Sequence, residues 1–117
     1  MAASIAVSAV AVLHLAFLVV EMFLWTKPAG RRIFGLSKEF SGQSATLAAN
    51  MGLYNGFIAA GLLWSRFAVL PLPDMTVFLL CCVIVAGVYG GLTVKRTILF
   101  VQAMPGAIAL VLVLVSG

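Results

Sequence analysis

The amino-acid sequence predicts an all-α integral membrane protein, an antiparallel four-transmembrane-helix bundle formed by residues 1–117 as a single membrane domain. Of its 117 residues, 64% are hydrophobic and only 9% are charged, whereas a soluble domain averages about 45–50% and about 25%. Four apolar stretches follow one another, each long enough to cross a hydrocarbon core of about 30 Å. The predicted spans are about 3–25, 45–64, 75–94 and 98–116.

The edges of the apolar stretches support this division. The first stretch is interpreted as a retained helix rather than a signal peptide, because no Lys or Arg precedes it and positive charge follows it. Only Lys95, Arg96 and Thr97 separate the third stretch from the fourth, which predicts an antiparallel hairpin. Trp25 and Trp64 stand at span ends, where an aromatic belt places them.

Positive charge predicts the orientation of the chain. The connection 26–44 carries four basic residues and 95–97 carries two, against Arg66 alone in the second connection. The positive-inside rule therefore places 26–44 and 95–97 in the cytoplasm and both termini outside, in a multi-pass protein of the inner (plasma) membrane. The four basic residues of the first connection are Lys27, Arg31, Arg32 and Lys38.

The first connection mixes bulky apolar and cationic residues. The neighbouring basic side chains meet lipid phosphate, while four apolar side chains can enter the headgroup layer, those of Ile33, Phe34, Leu36 and Phe40. The connection is therefore interpreted either as an interfacial loop or as a lid over a cavity that faces the cytoplasm.

Two ionisable residues stand inside the first stretch, His14 and Glu21. Because they are seven residues apart, they lie on one helix face, roughly 10 Å apart along the axis. A carboxylate at membrane depth is costly and normally faces protein or water, so Glu21 is a functional candidate by default.

Each span also carries a polar residue at a similar depth. Glu21, Asn50, Tyr89 and Gln102 all fall roughly 6–10 Å inside the cytoplasmic boundary, as counted at about 1.5 Å per residue. The further candidates are His14 and Asn55 near the midplane and Tyr54 between the two layers. We expect Glu21, His14, Asn50 and Tyr89 to turn inward. The layer acts either as interhelical hydrogen bonding or as a pocket that binds a ligand or relays protons.

Small residues are the other recurrent feature. Gly52, Gly56 and Ala60 recur at four-residue spacing, a face that lets a helix approach closely in the bundle or in a dimer. Cys81 and Cys82 are adjacent, which is poor geometry for a mutual disulfide, and are interpreted as apolar fillers. No metal-ligand spacing is present, so neither a metal site nor a cofactor is expected.

These motifs together carry a resemblance. The chain resembles the domain-of-unknown-function 1304 family of small four-helix bacterial membrane proteins over nearly its whole length, and departs from the family pattern at Leu13 and Met51, where an acid and a glutamine are usual. The resemblance implies a fold and a membrane location and no activity. The segments that carry it are His14 with residues 21–25, residues 34–35, 47–57, 86–90 and 98–102.

Three functions remain open on this sequence. The chain is a small transporter or ligand-binding protein in which Glu21 holds a cationic or lipophilic ligand, a membrane-embedded enzyme with Glu21 and His14 as acid–base groups, or a structural accessory subunit. Membrane lipid is an expected partner, nucleic acid is not, and a homo-oligomer is left open.

Overall fold

The computed structural model describes residues 1–116, and within them the chain is helical, with no strand. The prediction of an all-α protein is therefore confirmed. In chain order the elements are helix α1 (Ala2–Val19), a first π-helical segment (Val20–Leu24), α2 (Pro28–Phe34), α3 (Lys38–Phe67), α4 (Pro73–Thr93), a second π-helical segment (Leu99–Ala103) and α5 (Met104–Ser116).

Three helical stretches are long and apolar enough to cross a membrane. They are Ala2–Leu24 with 23 residues, Pro73–Thr93 with 21 and Leu99–Ser116 with 18. At about 1.5 Å per residue, each covers roughly the thickness of a bilayer core. These three helices support the predicted membrane protein. Helix α3 is not among them, because Asn50 and Asn55 make its central part less apolar.

The connection 26–44 is largely helical, which the sequence interpretation missed. Pro28 begins α2, and Gly35, with φ of 65°, ends it in the left-handed conformation that glycine adopts most readily. The hydroxyl of Ser37 then accepts a hydrogen bond from the backbone N–H of Phe40 at 3.1 Å, which caps the start of α3. Hydrophobic periodicity needs a window of about 11–18 residues, so the short helix α2 gave no detectable signal.

The chain forms two compact units, and the first comprises Leu13–Ala59. Here the glycines of α3 meet the first helix. A Cβ added at Gly52 would lie 2.7 Å from Cγ of Met22, and one added at Gly56 would lie 2.6 Å from Cδ1 of Leu18. The predicted small-residue face is thus filled by close helix packing, which leaves these two glycines unavailable to a dimer.

The second unit comprises Met1–Val12 and the chain from Ala60 onward. Gly87 lies against the backbone of Ala103, and Gly106 lies against Val83. Later residues of α4 thus contact earlier residues of the last apolar stretch, so the two run in opposite directions. This confirms the predicted antiparallel hairpin of the third and fourth apolar stretches.

Hydroxyl groups hold the turn between α3 and α4 in this second unit. Ser65 and Thr76 share a buried hydrogen bond of 2.7 Å between their side-chain oxygens. The N–H of Leu72 donates to the carbonyl of Ser65 at 2.8 Å. Arg66 donates from Nε to the hydroxyl of Ser4 at 3.1 Å, so the end of α3 lies beside the start of α1.

The hairpin generates a stability prediction at Gly87. A Cβ there would overlap the backbone of Ala103, which cannot rotate away as a side chain can. We expect Gly87→Ala to lower the free energy of unfolding by about 1–3 kcal/mol, the usual range for overpacking. Thermal unfolding in detergent measures it.

The matched control is Gly42→Ala in α3, where nothing lies within 4 Å of the added Cβ. Alanine favours a helix over glycine by up to about 1 kcal/mol, so this variant is expected to be neutral or stabilised. Equal melting temperatures for the two variants would contradict the close approach at Gly87.

Candidate functional site

The carboxylate of Glu21 is the centre of the candidate site. Glu21 lies in the first π-helical segment, and only 6% of its surface is exposed to solvent. Asn55 of α3 donates a hydrogen bond from Nδ2 to Oε1 of Glu21 at 2.5 Å. The two residues are 34 positions apart in sequence, so the contact joins two helices of the Leu13–Ala59 unit.

Gly52 makes this contact possible. A Cβ at position 52 would lie 3.1 Å from Cβ of Glu21, tighter than nearly all real contacts of that kind. The missing side chain lets α3 approach the first helix, and Asn55, three residues further on, then reaches the carboxylate. The packing glycine and the polar pair are therefore one arrangement rather than two.

The helix that carries Glu21 widens at that residue. Segments of π-helix are rare, occur mostly as single turns within α-helices and are frequent at functional sites. Nothing in residues 20–24, which contain no proline or glycine, predicts this widening. The second π-helical segment contains Gln102 and comes just before Pro105. Proline lacks a backbone N–H, so a disturbance of that helix could have been predicted.

His14 is buried in the same unit, as predicted, with 1% of its surface exposed. Its ring meets the ring of Phe17 edge-on, with centroids 5.2 Å apart. Being two turns of helix from Glu21, it does not reach the carboxylate directly. The imidazole therefore lies in a packed environment rather than on an open surface.

Asn50 and Tyr54 do not join Glu21. Asn50 is exposed, and Tyr54 is 61% exposed and packs edge-on against Phe57, with ring centroids 5.7 Å apart. The prediction that Asn50 turns inward is wrong. Five residues on a helix amount to about 140° of rotation, so Asn50 and Asn55 cannot share one face even though both lie in α3.

Tyr89 and Gln102 belong to the other unit. Tyr89 is 69% exposed, so the prediction that it turns inward is also wrong. Gly87 and Gly90 direct their face of α4 towards Ala103 and Ile98, which leaves Tyr89 on another side of the helix. Gln102 is partly buried in the second π-helical segment. Among the seven candidates, the hydrogen bond from Asn55 to Glu21 joins two of them directly.

A shallow groove runs along the surface of the Leu13–Ala59 unit, and neither Glu21 nor Asn55 is among the residues that line it. Met22, the neighbour of Glu21 in sequence, forms one wall, and α3 forms the other. The residues of α3 that line it are Gln43, Thr46, Leu47, Ala49, Asn50 and Leu53. Neither Gln43, which lies outside the predicted span 45–64, nor Thr46, which lies at its start, was among the predicted site residues.

Trp25 has a role beyond the predicted aromatic belt. Its indole N–H donates to the hydroxyl of Ser44 at 2.9 Å, and its ring lies 5.1 Å from the ring of Phe34. The contact ties the end of the first π-helical segment to α2 and to the start of α3. Gly30 lies so close to the carbonyl of Leu24 that a Cβ would overlap it. These contacts fix the backbone just beyond Glu21.

The fold and the site define a class, that of small helical membrane proteins with a carboxylate–amide pair buried between two helices. The particular family follows from comparison with known proteins. The profile of a protein family of unknown function, DUF1304, matches residues 8–114, and the chain belongs to this family.

The chain is also similar to the uncharacterised protein YpaA of Lactococcus lactis subsp. lactis. The two are 31% identical over 93 residues, which cover 78% of each chain. No solved structure matches. The resemblance drawn from the sequence motifs is confirmed. Neither the description of the family nor the name of this relative assigns an activity.

The Glu21–Asn55 contact can be measured by a double-mutant cycle. Asn55→Ala removes the donor beside a buried carboxylate, so we expect the free energy of unfolding to fall by about 1–3 kcal/mol. In a Glu21→Ala background the same substitution should have a clearly smaller effect, because its partner is gone. Thermal unfolding in detergent of the four proteins gives the coupling. Strictly additive effects would contradict a direct hydrogen bond.

Proposed function

We propose that the protein crosses the inner membrane four times as an antiparallel bundle and binds a small lipophilic cation at Glu21. Helix α3 supplies the second crossing. Its 30 residues extend about 45 Å, more than a bilayer core needs, and include the predicted span 45–64. Asn55, one of the two asparagines that lower its apolar character, is then accommodated by its hydrogen bond to Glu21 rather than by lipid.

Charge and contacts support the orientation. Six basic side chains in 26–44 and 95–97 against Arg66 favour a cytoplasmic position for those connections and an outside position for both termini. The hydrogen bond from Arg66 to Ser4 is consistent with this, because the amino-terminal end of α1 and the connection after α3 must share one side of the membrane.

Cysteine labelling tests this orientation in a background where Cys81 and Cys82 are replaced by Ala. A membrane-impermeant maleimide added to whole cells is expected to label Leu70→Cys, and to label Lys38→Cys only after permeabilisation. The reverse pattern would overturn the orientation, and labelling of both positions from outside would overturn the second crossing.

The observation that carries the ligand proposal is the neutral partner of the buried carboxylate. The hydrogen bond to Glu21 comes from the amide of Asn55, which solvates the charge without compensating it. An ionised carboxylate in low dielectric needs a positive partner or a proton. A cation with apolar substituents supplies the charge and tolerates the surrounding hydrocarbon side chains.

The groove that Met22 lines is the proposed route of entry towards Glu21. Met22 lies next to Glu21 and lines the groove, and Leu47 and Leu53 offer apolar surface to the body of the ligand. Asn50 and Gln43 add polar groups on the same wall. Transport makes a further demand, exposure of Glu21 to each side of the membrane in turn, so binding is the activity proposed for this site.

The geometry favours binding over the enzyme hypothesis. Acid–base catalysis by Glu21 and His14 needs a substrate in contact with both groups. His14 is almost fully buried and packs against Phe17, whereas the groove lies on the side of Met22. Neither Glu21 nor His14 is among the residues that line the groove, so a substrate there is not in contact with both acid–base candidates.

Tetraphenylphosphonium is a suitable probe, measured by isothermal titration calorimetry on the protein in detergent. We expect it to bind, and Glu21→Gln to bind it at least about tenfold more weakly, since a desolvated charge pair is lost. Asp74→Asn is the matched control, because it removes an exposed acid outside the groove and should leave binding unchanged.

Tetraphenylborate, an anion of the same shape, separates charge recognition from apolar partition. It is expected to show no dependence on Glu21. Binding of the phosphonium that is equal in wild type and Glu21→Gln, or absent from the wild type, would refute the proposal for this class of ligand.

A further inference from the structure

The outer face of α3 carries a seven-residue repeat. The residues of this repeat are alternately four and three positions apart. This spacing is typical of a helix that packs along a second helix in a left-handed crossing. All five are exposed, Leu47 at 67% and Phe57 at 57% among them. We call this set the α3 seam, and it consists of Gln43, Leu47, Asn50, Tyr54 and Phe57.

The polar members of the seam lack partners within the chain. The side chains of Gln43 and Asn50 form no hydrogen bond with any other residue in the described range 1–116. In hydrocarbon an amide without a partner is costly, and polar side chains in membrane helices normally face other protein. A seam with Asn50 at its centre is therefore poorly suited to face lipid.

The opposite face of α3 is already filled. Gly52, two residues and about 200° from Asn50, packs against Met22 of the first helix. Asn55 satisfies Glu21 on that side. The seam is thus a second, separate surface of α3, and its partner must come from outside the Leu13–Ala59 unit.

We propose that a second copy of this chain covers the α3 seam, forming a two-fold dimer in which the two α3 helices run parallel. Copies inserted with one orientation bring identical residues to the same depth, so Asn50 meets Asn50. An amide carries both a donor and an acceptor, so two such groups satisfy each other across the axis. A single asparagine in a heptad seam also fixes register and the number of helices.

Leu47, Tyr54 and Phe57 supply the apolar part of this interface. They lie on either side of the asparagine along the seam, where they shield its hydrogen bonds from lipid. The inference rests on the proposed crossing of the membrane by α3. It does not rest on ligand binding at Glu21. The seam shares Gln43, Leu47 and Asn50 with the groove, so a dimer covers that wall of the groove, and dimerisation and ligand binding are therefore measured on separate variants.

Disulfide cross-linking in native membranes tests the dimer, again with Cys81 and Cys82 replaced by Ala. Leu47→Cys and Tyr54→Cys leave Asn50 in place and are expected to give cross-linked dimers on oxidation. Phe23→Cys and Phe78→Cys are matched controls, because both side chains are similarly exposed and lie off α3. Cross-linking as strong at the control positions as on the seam would overturn the proposal.

The second measurement uses Asn50→Leu, an exposed substitution that is not expected to disturb the fold. Its dimer should dissociate about tenfold more readily than the wild type, the size of effect of an interhelical polar contact. Native mass spectrometry from detergent, over a range of protein concentrations, gives this ratio, and thermal unfolding verifies the fold. A monomeric wild type, unchanged dimerisation of Asn50→Leu, or seam cysteines cross-linked only to a different protein would each refute it.

Discussion

The requirement that a buried carboxylate have a hydrogen-bond donor governs much of this fold. Glu21 lies in a helix that is otherwise apolar enough to cross a membrane, where no water is available to solvate it. The donor is Asn55, and it reaches the carboxylate only because Gly52 allows the two helices to touch. The close approach of the two helices, the widening of the first helix at residues 20–24 and the hydrogen bond between the two side chains therefore occur together at Glu21.

The contact with the first helix uses one side of α3 and leaves polar residues exposed on the other side. The glycines and Asn55 face the first helix, so a helix with two asparagines five residues apart must expose one of them. Asn50 lies on the outer face with Gln43 and Tyr54. The polar character that excludes α3 from the set of apolar helices is thus divided between an internal contact and an exposed seam.

The sequence was most informative where a single large physical effect, such as hydropathy or the cost of a charge in lipid, decides the outcome. Hydropathy predicted the helical class and three of the spans, and the short basic turn at Lys95 and Arg96 predicted the α4–α5 hairpin. The burial of Glu21 followed from the cost of a carboxylate in lipid. Depth along a helix was a weaker guide, because it says nothing about direction around the axis. For this reason Asn50 and Tyr89 were wrongly expected to turn inward, and the partner of Glu21 was not identified. The widening at residues 20–24 left no local signal in the sequence.

In the proposed dimer, the two polar faces of α3 have different partners, and the folding of α3 is therefore coupled to assembly. A helix that is too polar to be stable in lipid alone needs protein on both polar faces before its insertion is favourable. The first helix covers one face through Glu21, Gly52 and Gly56. Without cover on the seam, the unpaired amides of Gln43 and Asn50 disfavour the proposed crossing by α3, whose first two residues, Lys38 and Glu39, are charged. In the proposed dimer, association through the seam does more than join two finished bundles, because it contributes to holding α3 in the proposed crossing and so to keeping Asn55 against Glu21.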